Sequence, residues 1–148
     1  MTAELARAII DANSYMTLAT ADDAGNPWAS PVWFAHEEYD TFVWMSEPTA
    51  RHSRNIAVRS NLAIVIFDST IAPSVRNAVY IAAQAELVPD ADLDALVRVF
   101  ATRSIARGLE ALEPDEVRGD APFRLYRARA TDMFVLDEEH DHRVPVTW

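Results

Sequence analysis

The chain has 148 residues, half of them apolar, a formal net charge of −10 and no cysteine. That length and composition describe one globular domain, residues 1–148, with a sizeable core, and exclude a disordered chain or a disulfide-stapled module. The acidic balance argues against general nucleic-acid binding, which needs a basic footprint. No apolar run reaches the length of a membrane span, so no membrane partner is expected.

The N-terminus carries Glu4 and Arg7 within an amphipathic pattern and does not read as a signal peptide. With the lack of cysteine, that fits a cytoplasmic protein. Thr2 to Ala12 reads as a short helix, with Leu5 and Ile9 on one face and Thr2 as its N-cap. Tyr15–Ala21 reads as a strand. The turn Asp22-Asp23-Ala24-Gly25-Asn26-Pro27 leads into a return strand, Trp28–Ala35. Pro31 interrupts that strand. It cannot donate to a ladder, so the strand belongs at a sheet edge, where backbone groups stay free for a ligand.

His36–Asp40 is a polar turn and Thr41–Ser46 a third strand. Pro48 to Arg59 reads as a helix whose clearest core residue is Ile56. It opens with Thr49-Ala50-Arg51-His52-Ser53-Arg54-Asn55, a cationic knot in an acidic chain. Guanidinium forks, hydroxyls and free N–H groups at a helix start are the donors a phosphate needs. Asn61–Asp68 is almost wholly apolar, which predicts a strand buried on both faces. Ser69–Asn77 is a loop, and Ala78–Val88 a long strand. Asp90 is expected to cap a helix whose inner stripe is Leu93, Leu96, Val97 and Phe100, crossing or flanking a barrel. Pro114–Ala121 is a polar excursion. Phe123–Ala130 and Asp132–Asp137 read as a final strand pair, Glu138–His142 as a charged turn and Arg143–Trp148 as a short terminal strand or tail. The sum is a mainly β, α+β fold: six or seven antiparallel strands in a barrel with two or three helices.

Several clusters read more simply as structure. Glu138-Glu139-His140-Asp141-His142 has metal-ligand residue types, but five polar residues between strands read as a solvated turn, and no metal is expected. Trp28 and Trp44 read as core or interface residues, and Arg124, Arg127 and Arg129 as salt-bridge partners. No Ser–His–Asp arrangement is supported by spacing, and no catalytic side chain is assigned.

The order Thr17-Leu18-Ala19-Thr20, Gly25-Asn26-Pro27, Ser30-Pro31-Val32-Trp33-Phe34 and Ala50-Arg51-His52-Ser53-Arg54-Asn55-Ile56 resembles the pyridoxamine 5′-phosphate oxidase-like family, with its flavin-binding split β-barrel. The likeness is direct from about Tyr15 to Asp68. It implies an FMN site at the interface of a homodimer. Arg51 and His52 match the family's phosphate-binding Arg-Lys pair. Met45, Ser46 and Thr49 match positions near the phosphate or ribityl chain, and Pro31, Val32 and Trp33 the segment along the isoalloxazine ring. Three departures stand out. Ala35 replaces a lysine of the true oxidases and Ser30 an arginine, and their C-terminal Arg–His pair has no clear match in Glu138–Arg143. Vitamin B6 oxidation therefore ranks below a broader expectation, an FMN-dependent oxidoreductase acting on an unidentified small molecule. The alternatives are a deazaflavin-dependent reductase of the same fold, a non-enzymatic flavin- or haem-binding sensor or carrier, and a cofactor-free barrel that mediates association.

Overall fold

The computed structural model describes residues 1–75 and 77–148. Its elements in chain order are α1 (Thr2–Ala12), β1 (Tyr15–Ala21), β2 (Pro27–Trp33), β3 (Ala35–Glu37), β4 (Thr41–Ser46), α2 (Arg51–Val58), β5 (Asn61–Phe67), β6 (Ala78–Leu87), α3 (Asp90–Ala106), a 3-10 turn at Pro114–Val117, β7 (Arg124–Leu136) and β8 (Arg143–Pro145). The strands pair antiparallel in the order β2-β1-β5-β6-β7-β4-β3, with β8 on β7.

That order explains the shape. Strands β2 and β3 stand at opposite ends of the path, yet only Phe34 separates them in the chain. The sheet must therefore curl until its ends nearly meet, leaving a split between them. Phe34 sits at that corner, fully buried, its N–H donating to the Ser14 carbonyl. The curled interior holds Met16, Leu18, Phe34, Phe42, Trp44, Ile64, Ile66 and Ile81, with Ile9 and Ile10 of α1. A second core lies outside the wall. There Leu93, Leu96, Val97 and Phe100 of α3 pack on Ala35, Val43 and Leu125. The expected inner stripe of α3 is thus its buried face, and the helix flanks the barrel.

The edge position expected from Pro31 is observed, since β2 is an end strand and Pro31 pairs only with Thr17 of β1. Other expectations need correction. The caps of α1 and α3 are Met1 and Pro89, one residue before Thr2 and Asp90, with no side-chain bond at either. The last strand pair is one long strand, β7, which runs through a bulge. Ala130 faces Ala83 and Asp132 faces Ala82, and the extra residue, Thr131, donates its hydroxyl to the Ala82 carbonyl. A bulge keeps the ladder going where a turn would end it. Strand β5 buries Leu62, Ile64 and Ile66 but leaves Asn61, Ala63 and Phe67 exposed and Val65 half-buried. One face alone is covered within the chain, so the expectation of two buried faces fails here. The polar His36–Asp40 turn overlaps the short strand β3, and Glu38 and Tyr39 both take positive φ, 51° and 62°. No helix among the described residues is long and apolar enough to cross a membrane.

Candidate functional site

Strand β4 ends at Ser46, and the chain turns through Glu47-Pro48-Thr49 before α2 begins at Arg51. Ala50 caps α2 without a side-chain bond, so the first-turn N–H groups keep no side-chain acceptor. A helix start of this kind attracts anions. The helix is fixed from its other side. Buried Asn55 donates to the Thr20 hydroxyl at 3.0 Å, which in turn donates to the Trp28 carbonyl at 3.3 Å. Arg59, just past its end, donates to the carbonyls of Asp22 and Asp23. The α2 start is thereby locked to the β1–β2 hairpin.

Against this start lies an open pocket of about 370 Å³, lined by Pro31, Val32 and Trp33 of β2, Met45 and Ser46 of β4, Glu47, Ala50, His52, Phe100 of α3 and Phe123. Six of the eight residues singled out from the sequence, Pro31, Val32, Trp33, Met45, Ser46 and His52, thus meet at one place. Thr49 and Arg51 do not line it. Thr49 is exposed and donates to a Glu47 carboxylate oxygen at 3.4 Å. Arg51 is exposed too, and its guanidinium sits 4.2 Å from the centre of the Trp28 ring. Among the described residues it forms no ion pair with a carboxylate, so its fork stays open. The sequence reading missed Glu47, Ala50, Phe100 and Phe123 as lining. Only Phe100 had a local signal, its place in the α3 stripe. Its edge-on contact with Trp33, with ring centres 5.0 Å apart, joins residues far apart in the chain.

His52 differs from the lysine it replaces. Its Nε2 lies 2.7 Å from the Ser46 hydroxyl, and burial pushes its pKa below the ordinary 6.5. It is a neutral hydrogen-bonding group near pH 7, and Arg51 carries the local positive charge. Next to it Ser53 is buried with a hydroxyl that has no partner. Uncapped N–H groups, an unpaired guanidinium and the Ser46–His52 pair form a donor-rich corner beside an aromatic and apolar wall. Such a surface suits a planar ring carrying a phosphate. The donor set therefore fits FMN.

Solved structures match this fold. A haem-binding protein from Mycobacterium smegmatis superposes with a TM-score of 0.75 at 23% identity, over 98% of this chain and 57% of that one. This chain therefore spans little more than half of that relative. The haem-storage protein HutZ from Vibrio cholerae matches at 25% identity and a TM-score of 0.63, over 89% of each chain. An FAD-binding protein from Mesorhizobium loti matches at 16% identity and a TM-score of 0.65, over 90% of each chain. No curated protein matches the chain by sequence. The family model for pyridoxamine 5′-phosphate oxidase matches residues 2–137, nearly the whole fold described above, and the chain belongs to that family.

Proposed function

We propose that the protein is an FMN-binding oxidoreductase acting on a small molecule, with the phosphate at the start of α2 and the ring along β2. The observation that carries this reading is the convergence of Pro31, Val32, Trp33, Met45, Ser46 and His52 on one open pocket beside an uncapped helix start. When bound, the flavin supplies the hydride and electron chemistry. The chain supplies the grip and the platform. Arg51 leaves Trp28 to offer its fork to the phosphate, helped by the α2 N–H groups and Thr49. Ser46 and neutral His52 add directional bonds. Val32 and Trp33 bracket the ring, and Phe100 holds Trp33 in place. No side chain has to act as a catalytic acid or base.

A homodimer belongs to the same proposal. The outward residues Ala63, Val65 and Phe67 of β5 stand beside Ala82 and Tyr80 of β6, a largely apolar face that stays exposed or half-buried, with the Arg143 guanidinium 4.6 Å from the centre of the Tyr80 ring. A second copy would bury it and account for the apolar run that the single chain leaves half exposed.

The test is the absorbance spectrum of purified protein, followed by titration with FMN and riboflavin. Flavin bands, or saturable FMN uptake, support the reading. A colourless protein that takes up no FMN rejects it. Arg51→Ala is expected to weaken FMN by ~1.5–3 kcal/mol and riboflavin little, since only FMN offers the phosphate for a charge-assisted bond. Equal losses would remove Arg51 from the phosphate site.

A second reading, a haem-binding carrier, draws on the descriptions of two of the structural matches. A Soret band in place of flavin bands would favour it. A deazaflavin coenzyme with a polyanionic tail suits the acidic surface less well, because like charges oppose its approach.

A further inference from the structure

The turn between β7 and β8 lies apart from the pocket and has its own chemistry. Asp137 at the end of β7, His140 and His142 bring one carboxylate and two imidazoles together, with ligand atoms all within 4.8 Å of one another. His140 Nδ1 is 3.4 Å from Asp137 Oδ1, and His142 Nε2 is 3.8 Å from Asp137 Oδ2. A tetrahedral ion with bonds of about 2.0–2.1 Å needs ligands roughly 3.3 Å apart. The two distances run to different oxygens of Asp137 and the ligand atoms spread over up to 4.8 Å, so the exposed imidazoles must rotate inward to reach that spacing.

The loop is also prepared for such a role. Asp137 N–H donates to the His142 carbonyl at 3.0 Å and His142 N–H to the His140 carbonyl at 2.8 Å, which fixes the backbone of the loop that carries both histidines. The N–H groups of Glu139 and His140 donate to Asp137 Oδ1 at 2.9 and 2.7 Å. These bonds orient the carboxylate. The pairing of Leu136 with Arg143 closes the loop at its base. Asp137, Glu138, Glu139 and Asp141 outnumber the single cation Arg143, so the local field favours a cation.

We propose that Asp137, His140 and His142 form a binding site for a late first-row divalent cation, Zn²⁺ being the probe of choice. Imidazole nitrogen with one carboxylate is a donor set suited to zinc. Both histidines are exposed, so the ion enters without the loop opening. Three protein ligands leave at least one position for water. Oriented outer bonds of the kind the Glu139 and His140 N–H groups provide raise affinity in such sites.

The test is calorimetric titration of chelator-treated full-length protein with Zn²⁺, with Co²⁺ absorbance as a second readout. Wild type is expected to bind one Zn²⁺ per chain saturably and to give Co²⁺ bands of a low-coordinate site. His140→Ala and His142→Ala are each expected to weaken binding by more than about tenfold. The double variant is expected to bind none, with an unchanged circular dichroism spectrum. Its two remaining histidines, His36 and His52, act as an internal control for binding elsewhere. Absence of saturable Zn²⁺ binding to wild type would overturn the proposal, as would binding that survives in the double variant.

Discussion

The junction of α1 with α3 and the corner between β4 and α2 are both rich in arginine, and they use it in opposite ways. At the junction the arginines bond mainly within the chain, although Arg103 Nε and His36 Nδ1 are buried without a partner among the described residues. Arg103 donates to the carbonyls of Ile10 and Asn13 at 3.2 and 2.7 Å and lies over the Phe34 ring. Arg107 donates to the Asp11 carbonyl and the Ser14 hydroxyl. Asp11 accepts from the Tyr39 hydroxyl at 2.8 Å, and its other oxygen is 3.1 Å from His36 Nε2. Two cations thus satisfy the last carbonyls of α1, where the helix dipole also favours them. At the other corner, among the described residues, Arg51 has an aromatic ring and no carboxylate, the Ser53 hydroxyl has no partner, and the α2 N-cap Ala50 makes no side-chain bond. Arginine at the junction ties helices together, and arginine at the β4–α2 corner is left available for the proposed ligand.

Arg103→Met gives the largest expected change, a loss of about 2 kcal/mol in unfolding free energy by urea titration, because α1 carbonyls lose a charged donor. FMN affinity should stay unchanged. A variant that loses FMN but keeps its stability would reverse the contrast. Asn55→Ala comes next, at roughly 1–2 kcal/mol, since it breaks the buried bond to Thr20 that fixes α2. Asn55 holds α2 to the β1–β2 hairpin, so its loss should also weaken FMN binding.

The pH dependence is smaller. Burial lowers the pKa of His36 below 6.5, outweighing the hydrogen bond to Asp11 that raises it, and burial lowers His52 likewise. The unfolded chain therefore binds protons that the native state refuses. Stability is full above about pH 6.5 and falls as pH drops from there towards the folded values. His36→Asn should flatten part of that slope in melting curves taken between pH 7 and pH 5, and an unaltered slope would show that other groups set it. The smallest effect is Arg51→Ala on stability, within about 0.5 kcal/mol, as expected for an exposed side chain. A larger loss would mean that the Trp28 contact is structural.

Local signals carried much of this fold and site. The first helix, Thr2–Ala12, and the strands Tyr15–Ala21 and Thr41–Ser46 have the boundaries their patterns predict, because periodicity and turn residues agree there. Pro31 gave the sheet edge through its missing donor. What escaped depends on partners distant in sequence. Thr131 looks like a turn residue, and only pairing with Ala82 and Ala83 makes it a bulge. Strand β5 looks doubly buried because its composition cannot say what lies on its outer side. The Ser46–His52 bond and the Trp33–Phe100 contact exist only once β2, β4, α2 and α3 are assembled, so the wall of the pocket was not readable as a local motif.

The placement of Pro31 has a consequence for solubility. A sheet that does not close exposes two free margins, each able to template the addition of another chain. One margin carries prolines at positions 27 and 31, and the other is three residues long and ends in Glu37. Both are poor templates for strand addition, so the molecule can keep its barrel open without inviting runaway polymerisation along the gap.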